Sequence, residues 1–456
     1  MPTSLFTTAL RDRLTFTLNR LREKIWVRPL LLCLVSLIGV GLAHLADGLF
    51  PEAPLPNVSA DTLETLLEII TSSMLVIAVF AAGAMLNAYA SAASVATPRA
   101  FSLVVADDIS QYALSTFIGA FIFGIVGLIA LLNGVYGRSG RFALFLLTVA
   151  VLAVVVLSFV TWVDRIARLS RVTNTIDRVE KAAATALLEH GLRPTLRARP
   201  SASEPADNPE PADSSSDHHS RGLLIHAQEV GYLQTISLAE LQKDAESLDL
   251  EVAIETLPGA FVTPQRVLAR ALSSKPIASA TGERLAGSFR VGDRRTFDDD
   301  PRFGLLVLSE IASRALSPAV NDPGTAIYII GSFVRLFTGW VDVSSHRTED
   351  ADKTPRFDRL WMHELALEDL FDDAFQAIGR DGAASLEVGL RIQKGLSLIS
   401  QLPMDGIREA ARAQARLALH HGEKALRLAQ DVARLRRAAG WVLRPQDLNE
   451  EISLNH

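Results

Sequence analysis

Four long runs without a charged residue constrain the fold of this chain more than any other feature. They occupy 29–46, 69–90, 113–133 and 142–163, and none contains Asp, Glu, Lys or Arg. A helix needs about 20 apolar residues to cross the hydrocarbon core, where every backbone N–H and C=O must find its partner within the helix. The runs therefore predict four transmembrane helices, with the lipid bilayer as their partner.

The basic residues beside these runs predict the orientation of the chain in the membrane. Six Lys or Arg residues precede the first run and five follow the fourth within 165–181, whereas the 47–68 loop has none. Lys and Arg concentrate in the short cytoplasmic flanks of transmembrane helices. Both termini are therefore expected in the cytoplasm.

Small residues in the third run indicate close contact between helices. Ala120 and Gly124 stand four positions apart, with Gly119 and Gly127 nearby. This spacing lets helix backbones approach each other. It fits packing within the bundle, association into a homo-oligomer, which we expect, or the lining of a pore, and the sequence leaves these alternatives open.

The remaining chain divides by composition. A helical extension completes the transmembrane domain at 1–190, and the segment 191–221, rich in Pro, Ser, Ala and Asp, is expected to be a disordered linker. A β-rich module follows at 222–300, then a helical domain at 301–442 and a tail at 443–456. The predicted fold class is a four-helix transmembrane bundle followed by a cytoplasmic α+β region.

Local patterns predict the elements of that region. Short β-branched runs separated by Gly and Pro predict strands within 222–300, which we interpret as a small barrel-like module. Apolar residues at helical spacing predict later helices at 357–378, 384–402 and 404–442, packed as an antiparallel bundle. Asp322 followed by Pro323 predicts a helix start, because Asp accepts from the first N–H groups and Pro needs no donor there.

The polar residues around 293–324 are the candidate functional or structural motif. The acidic cluster 293–300 could hold a hard divalent cation, although it lacks the Gly and terminal Glu of an EF-hand loop. The alternative, which we favour, is that Asp299 or Asp300 caps the next helix while the arginines pair with Asp322 and its neighbours. The candidate residues are Arg295, Asp300, Arg314, Ser317, Pro318, Asn321, Asp322 and Pro323.

Several classes of function find no support in the sequence. The net charge is −6 without a long block of one sign, so nucleic acid is not an expected partner. The chain has no nucleophile elbow, phosphate-binding glycine loop, His-Glu-x-x-His helix or Cys-x-x-Cys pair, and its one cysteine is Cys33. We therefore predict no catalytic residue, cofactor or metal.

Six motifs resemble a known family. The resemblance is to the bacterial predicted membrane proteins grouped as domain of unknown function 2254, and it implies a location in the bacterial inner (plasma) membrane. It supplies no activity, substrate or catalytic residue. The motifs are Thr97-Pro98-Arg99, Gln111 with 117–121, 231–234, 258–262, 295–297 with Asp300, and 315–326, the most specific.

Three hypotheses for the function remain. The first is an oligomeric channel or transport-related protein whose cytoplasmic domain regulates it or assembles it. The second is a membrane-anchored sensor or scaffold whose cytoplasmic domain binds a ligand or partner. The third is a metal-dependent enzyme that uses the 293–322 region.

Overall fold

The structure, a computed structural model, describes residues 27–49, 56–95, 97–100, 108–169, 172–201, 222–345 and 355–443. The chain forms two compact units, Met1–Thr175 (unit 1) and Ile176–His456 (unit 2). Part of what the sequence predicts lies outside the described residues: most of the basic amino-terminal flank, the linker from 202 to 221 and the tail from 444 onward.

Unit 1 consists, in its described part, of the helices that the uncharged runs predict. They are α1 (Val27–Leu49), α2 (Ala60–Val95), α3 (Asp108–Leu132) and α4 (Arg138–Leu169). By length and composition, Ala60–Ser91, Ser110–Leu132 and Arg138–Ile166 can each cross a membrane. The 23 residues of α1 extend about 34 Å at 1.5 Å per residue, enough for a hydrocarbon core of roughly 30 Å.

The small residues of α3 bring it against the other three helices. The Ser36 hydroxyl of α1 donates to the Gly119 carbonyl at 2.9 Å. A Cβ atom at Gly124 would lie 2.4 Å from the Thr71 Oγ1 atom of α2, and one at Gly127 would contact Leu67 and Leu144. Ala120 is buried as well. This face of α3 is therefore used for packing inside one chain.

The outer surface of the bundle is apolar. Large side chains such as Val76, Val79, Leu86 and Leu157 are each more than two-thirds exposed. A soluble protein rarely leaves so much contiguous apolar surface in water, whereas hydrocarbon solvates it without cost. This surface suits contact with lipid.

Unit 2 begins with a helix and continues as a mixture of strands and short helices. α5 (Val172–Leu192) belongs largely to this unit. The next elements are β1 (Ala198–Pro200), β2 (Leu223–His226), β3 (Gly231–Ile236), α6 (Leu238–Leu248), β4 (Glu251–Ile254), β5 (Phe261–Val262), β6 (Val267–Leu272), α7 (Ser279–Ala286) and β7 (Phe289–Gly292).

The strands form two open sheets, so the predicted barrel-like module is wrong. With β8 (Phe357–Met362), the larger sheet has the order β1-β8-β4-β6-β2, and the smaller has the order β5-β3-β7. Within the described residues, the two outer strands of the larger sheet do not pair with each other, so the sheet does not close. Its core forms where α6 packs on it, with Leu241, Val252 and Leu360 fully buried.

Two strands of the larger sheet come from segments for which the sequence predicts something else. β1 lies in the predicted linker, and β8 lies where the sequence predicts a helix. The two strands pair in parallel with each other, and β8 also pairs with β4. These pairings join segments more than a hundred residues apart, so neither strand has a local signal strong enough to reveal it.

The rest of unit 2 is helical, with α9 at its centre. The elements are α8 (Pro301–Ala315), α9 (Pro323–Ser345), α10 (Leu367–Phe371), a π-helical segment (Asp372–Gln376), α11 (Ala377–Asp381), α12 (Leu386–Ile399), α13 (Ile407–Ala425) and α14 (Ala429–Ala438). Phe337 of α9 lies 4.7 Å from Phe371, and Phe333 lies 5.2 Å from Phe375, between ring centroids.

α9 is also long and apolar enough to cross a membrane by length and composition. Its surroundings are those of a core helix in a folded domain. Ile329, Ile330 and Phe333 are fully buried by protein. Its polar side holds α5, because the Arg335 guanidinium donates two hydrogen bonds of 2.7 Å to the Glu180 carboxylate. We therefore assign α9 to the core of unit 2.

Gly124→Val is expected to destabilise the bundle, because the added side chain would overlap Thr71 and the backbone of Leu67. Overpacking of this kind costs about 1–3 kcal/mol. Gly83→Val is the matched control, since an added Cβ at Gly83 meets nothing within 4 Å. Thermal unfolding of the detergent-solubilised protein should show a lower Tm for Gly124→Val alone, and equal Tm values for the two variants would contradict this packing.

Candidate functional site

The carboxylate of Asp300 anchors the start of α8. Its Oδ1 atom accepts from the Phe303 backbone N–H at 3.1 Å, which makes Asp300 the N-cap residue. The Arg295 guanidinium donates to Oδ2 at 2.6 Å and to Oδ1 at 2.9 Å. The Asp300 side chain is only 2% exposed. A two-fold Arg–carboxylate contact in this environment fixes both side chains in one geometry.

A glycine turn closes over the same carboxylate. Gly259 has a φ of +95°, and a Cβ atom there would lie 2.3 Å from the Asp300 Oδ2 atom, so glycine is required on both counts. The Arg295 guanidinium also lies 5.2 Å from the centre of the Phe303 ring. Asp300 thus joins the 258–260 turn, the 293–300 segment and α8.

Burial raises the pKa of Asp300 above its ordinary value. The hydrogen bonds and charge of Arg295, the Phe303 N–H and the charge of Arg302 all oppose this rise. Both carboxylate oxygens accept from Arg295, and one also accepts from Phe303. Of the two alternatives for the acidic cluster, this arrangement matches the helix cap. Among the described residues, no group of three or more His, Cys, Asp or Glu side chains is placed to hold a metal ion.

Arg302, the arginine in the first turn of α8, pairs with other carboxylates than those predicted. Arg302 was expected to pair with Asp322 or its neighbours, but its Nε atom donates to Asp373 at 2.6 Å and its Nη1 atom donates to Asp369. Burial, followed by the charges of Asp369 and Asp373, raises the pKa of the adjacent Asp372. The arginine therefore ties α8 to α10 and the π-helical segment.

The Ser317-to-Pro323 turn connects α8 to α9. The Ser317 hydroxyl donates to the Arg314 carbonyl at 2.7 Å, and Asn321 takes a left-handed φ of 49°. Asp322 accepts from the Thr325 N–H at 3.1 Å and from the Thr325 hydroxyl at 2.6 Å. The Asp-Pro pair thus starts α9 as the sequence predicts.

This turn and the Asp300 anchor are not brought together. They lie at opposite ends of α8, whose 15 residues span about 22 Å. Pro318 and Asn321 are exposed. The candidate motif therefore separates into an anchor at one end of α8 and a solvent-facing turn at the other.

An open cleft of about 460 Å³ lies beside the Asp300 anchor. Three arginines line it, together with the first turn of α6 and Asp299, and we call it the arginine cleft. Two of the arginines follow α5 and one precedes β8. The lining residues are Arg193, Leu196, Arg197, Ile236, Ser237, Leu238, Ala239, Glu240, Asp299, Arg356 and Phe357.

Backbone geometry brings the arginines together. Leu196 and Arg197 have left-handed φ values of 51° and 70°, which non-glycine residues rarely adopt. The Phe357 N–H donates to the Arg197 carbonyl at 3.1 Å, so Arg356 comes beside Arg197. Asp299, which also lines the cleft, is next to the anchored Asp300 in the chain.

The three arginines differ from those that stabilise the fold. Arg295, Arg302 and Arg335 each pair with a carboxylate within 2.7 Å. Arg193, Arg197 and Arg356 are exposed, and within the described part of the chain none of the three forms a salt bridge. Two carboxylates, Glu240 and Asp299, share the lining. Three positive and two negative charges leave the cleft with one net positive charge.

No motif in the sequence predicts this cleft. Arg193 and Arg197 fall where a tether was expected, and Arg356 falls just before a predicted helix. Their convergence depends on the parallel pairing of β1 with β8. Three arginines within 193–199, at the start of a segment otherwise rich in Pro, Ser, Ala and Asp, were the one local signal.

Asp300→Ala should destabilise the protein strongly, because it removes the cap and leaves the half-buried Arg295 without its partner. Breaking a buried pair costs about 3–5 kcal/mol. Asp300→Asn keeps a capping side chain and should fall between this variant and the native protein. The control is Asp298→Ala, at an exposed position. The Tm of each variant measures the effect, and an Asp300→Ala protein as stable as the control would refute the anchor.

Comparison with known proteins places the chain in a family. Uncharacterized proteins of Mycobacterium tuberculosis (strain CDC 1551 / Oshkosh) and Mycobacterium bovis are 35% identical to it over 104 residues, which is 22% of this chain and 20% of each relative. The chain therefore matches about a fifth of their length. No solved structure shows significant similarity to it. The model of the predicted membrane protein family DUF2254 matches residues 22–397, most of the chain, and the protein belongs to that family.

Proposed function

We propose that this protein is a membrane-anchored sensor. In this proposal the helices of unit 1 hold the protein in the bilayer, and unit 2 binds a small ligand in the arginine cleft. The observation that carries the proposal is the cleft itself.

The size and construction of the cleft support ligand binding. Pockets for small molecules in proteins typically measure about 300–1,000 Å³ and combine an apolar lining with a few convergent polar groups. The cleft has a volume of about 460 Å³, with Ile236, Leu238 and Phe357 beside its charged residues. One wall is the first turn of α6, and regular elements of this kind position side chains more precisely than loops do.

The packing of unit 1 favours an anchor over a pore. The small residues of α3, which could have lined a pore, contact α1, α2 and α4 of the same chain. The runs 69–90, 113–133 and 142–163 carry no ionisable Asp, Glu, Lys or Arg that could couple transport to an ion. The homo-oligomer stays a prediction, and the sensor function does not depend on it.

The proposed orientation places unit 2 in the cytoplasm, where soluble metabolites are available. The basic residues before the first transmembrane run and after the fourth support this orientation. The 47–68 loop, which has no Lys or Arg, would then lie on the opposite side of the membrane. A short cytoplasmic connection then joins the fourth run to α5.

Liposomes that contain the purified protein should remain impermeable to K⁺ and to a small fluorescent dye, because a closed bundle offers no aqueous path. Flux is compared with that of protein-free liposomes. A pore-forming peptide added at the end verifies that both reporters respond. Flux that depends on the protein and exceeds the protein-free background would contradict the anchor and favour a channel.

Reporter fusions should locate the carboxyl terminus in the cytoplasm. Green fluorescent protein fused there should fluoresce, whereas alkaline phosphatase fused there should be inactive, because that enzyme folds only outside the cytoplasm. Alkaline phosphatase inserted in the 47–68 loop is the control and should be active. The reverse pattern would place unit 2 outside the cell and remove the proposed access to cytoplasmic ligands.

A further inference from the structure

We infer that the arginine cleft binds a small molecule that carries a phosphate group, with Arg193, Arg197 and Arg356 contacting the phosphate oxygens. This inference rests on the proposed function and names the class of ligand. It depends on the charge of the cleft, the shape of the arginine side chain and the volume available.

The charge of the cleft favours an anionic ligand. Arg193, Arg197 and Arg356 line one cavity, and within the described residues none of them forms a salt bridge. Like charges that share a site repel each other, and an anion placed among them removes that repulsion. The carboxylates of Glu240 and Asp299 offset only two of the three charges, so an anionic ligand is favoured over a cation.

The chemistry of arginine favours phosphate among anions. A guanidinium group is planar and always charged, and it donates two parallel hydrogen bonds to neighbouring oxygens. Each arginine has five N–H donors. Three such groups exceed what one carboxylate can accept through its two oxygens, whereas a phosphate monoester offers three terminal oxygens at different angles.

The first turn of α6 adds donors on the same side. α6 has 11 residues, and no side chain caps its amino terminus, because the Ser237 hydroxyl makes no cap hydrogen bond. Leu238, Ala239 and Glu240 of this turn line the cleft. Backbone N–H groups at a helix amino terminus favour anions, phosphate in particular. This feature reinforces the arginines, which carry the inference.

The volume favours an organic phosphate over the bare ion. A cleft of about 460 Å³ is larger than inorganic phosphate requires, and its lining continues with apolar side chains, including Leu196, Ile236 and Phe357. These surfaces suit the organic part of a ligand. The phosphate could belong to a soluble metabolite or to a phospholipid headgroup, and the test below distinguishes the two sources.

The test is calorimetric titration of inorganic pyrophosphate into the full-length protein, held in nanodiscs of phosphatidylcholine. Pyrophosphate supplies the phosphate chemistry without an organic part. We expect saturable binding at one site, weakened by added salt because the contacts are between exposed charges. Absence of binding at low salt would overturn the inference.

Cleft variants locate the site. The double variant Arg193→Ala/Arg356→Ala should bind pyrophosphate at least about tenfold more weakly, since charge-assisted hydrogen bonds are lost. Arg294→Ala removes an exposed arginine that does not line the cleft, and it should bind like the native protein. Glu240→Gln should bind more tightly, because it removes a negative charge from the lining. A misfolded variant would not gain affinity, so this result separates a binding role from a structural one.

Unchanged affinity in both Glu240→Gln and the double arginine variant would overturn the assignment to this cleft.

Repeating the titration in phosphatidylglycerol nanodiscs identifies the source of the phosphate. Weaker binding of pyrophosphate by native protein and Arg294→Ala alike supports occupancy by a lipid headgroup, and equal binding supports a soluble metabolite. Absence of pyrophosphate binding together with tight liposomes overturns this inference alone, whereas leaky liposomes overturn the proposed function.

Discussion

The buried ion pair between Asp300 and Arg295 is the interaction on which the arrangement of unit 2 depends. Asp300 starts α8, and α8 approaches α5 so closely that a Cβ atom at Gly304 would lie 2.3 Å from the Ala183 Cβ atom. α5 also contacts α9, through the Glu180–Arg335 pair and through the Tyr328 hydroxyl, which donates to Asp177 at 2.7 Å. Arg193 follows α5 directly and lines the arginine cleft. The Asp300 anchor is therefore connected to the cleft through the contact between α8 and α5.

The parts of this fold that could be predicted from the sequence have local causes. An uncharged run must become a helix in hydrocarbon because its peptide groups have no other partners, and α1 to α4 lie where such runs occur. The caps were predicted from residues within three positions of each helix start: Asp299 or Asp300 for α8, where the structure has Asp300, and Asp322 for α9. Most of the short strands of the 222–300 region were predicted from β-branched runs, but β6 was missed, and closure of the strands into a barrel was not correct.

The parts that could not be predicted depend on contacts between distant segments. β8 was interpreted as the start of a helix, since its parallel partners, β1 and β4, lie far away in the chain. The arginine cleft exists only once those strands have paired, and its three arginines look like ordinary surface residues in the sequence. The small residues of α3 had three interpretations, and their contacts with α1, α2 and α4 favour packing within one chain.

The most direct test of the account is hydrogen–deuterium exchange of the full-length protein in nanodiscs, with and without pyrophosphate. The account predicts slower exchange in 193–201, in the first turn of α6 and around Arg356, with no change in the 317–323 turn at the far end of α8. Uniform exchange behaviour across unit 2, or protection confined to the transmembrane helices, would contradict a membrane-anchored protein that binds its ligand in the arginine cleft.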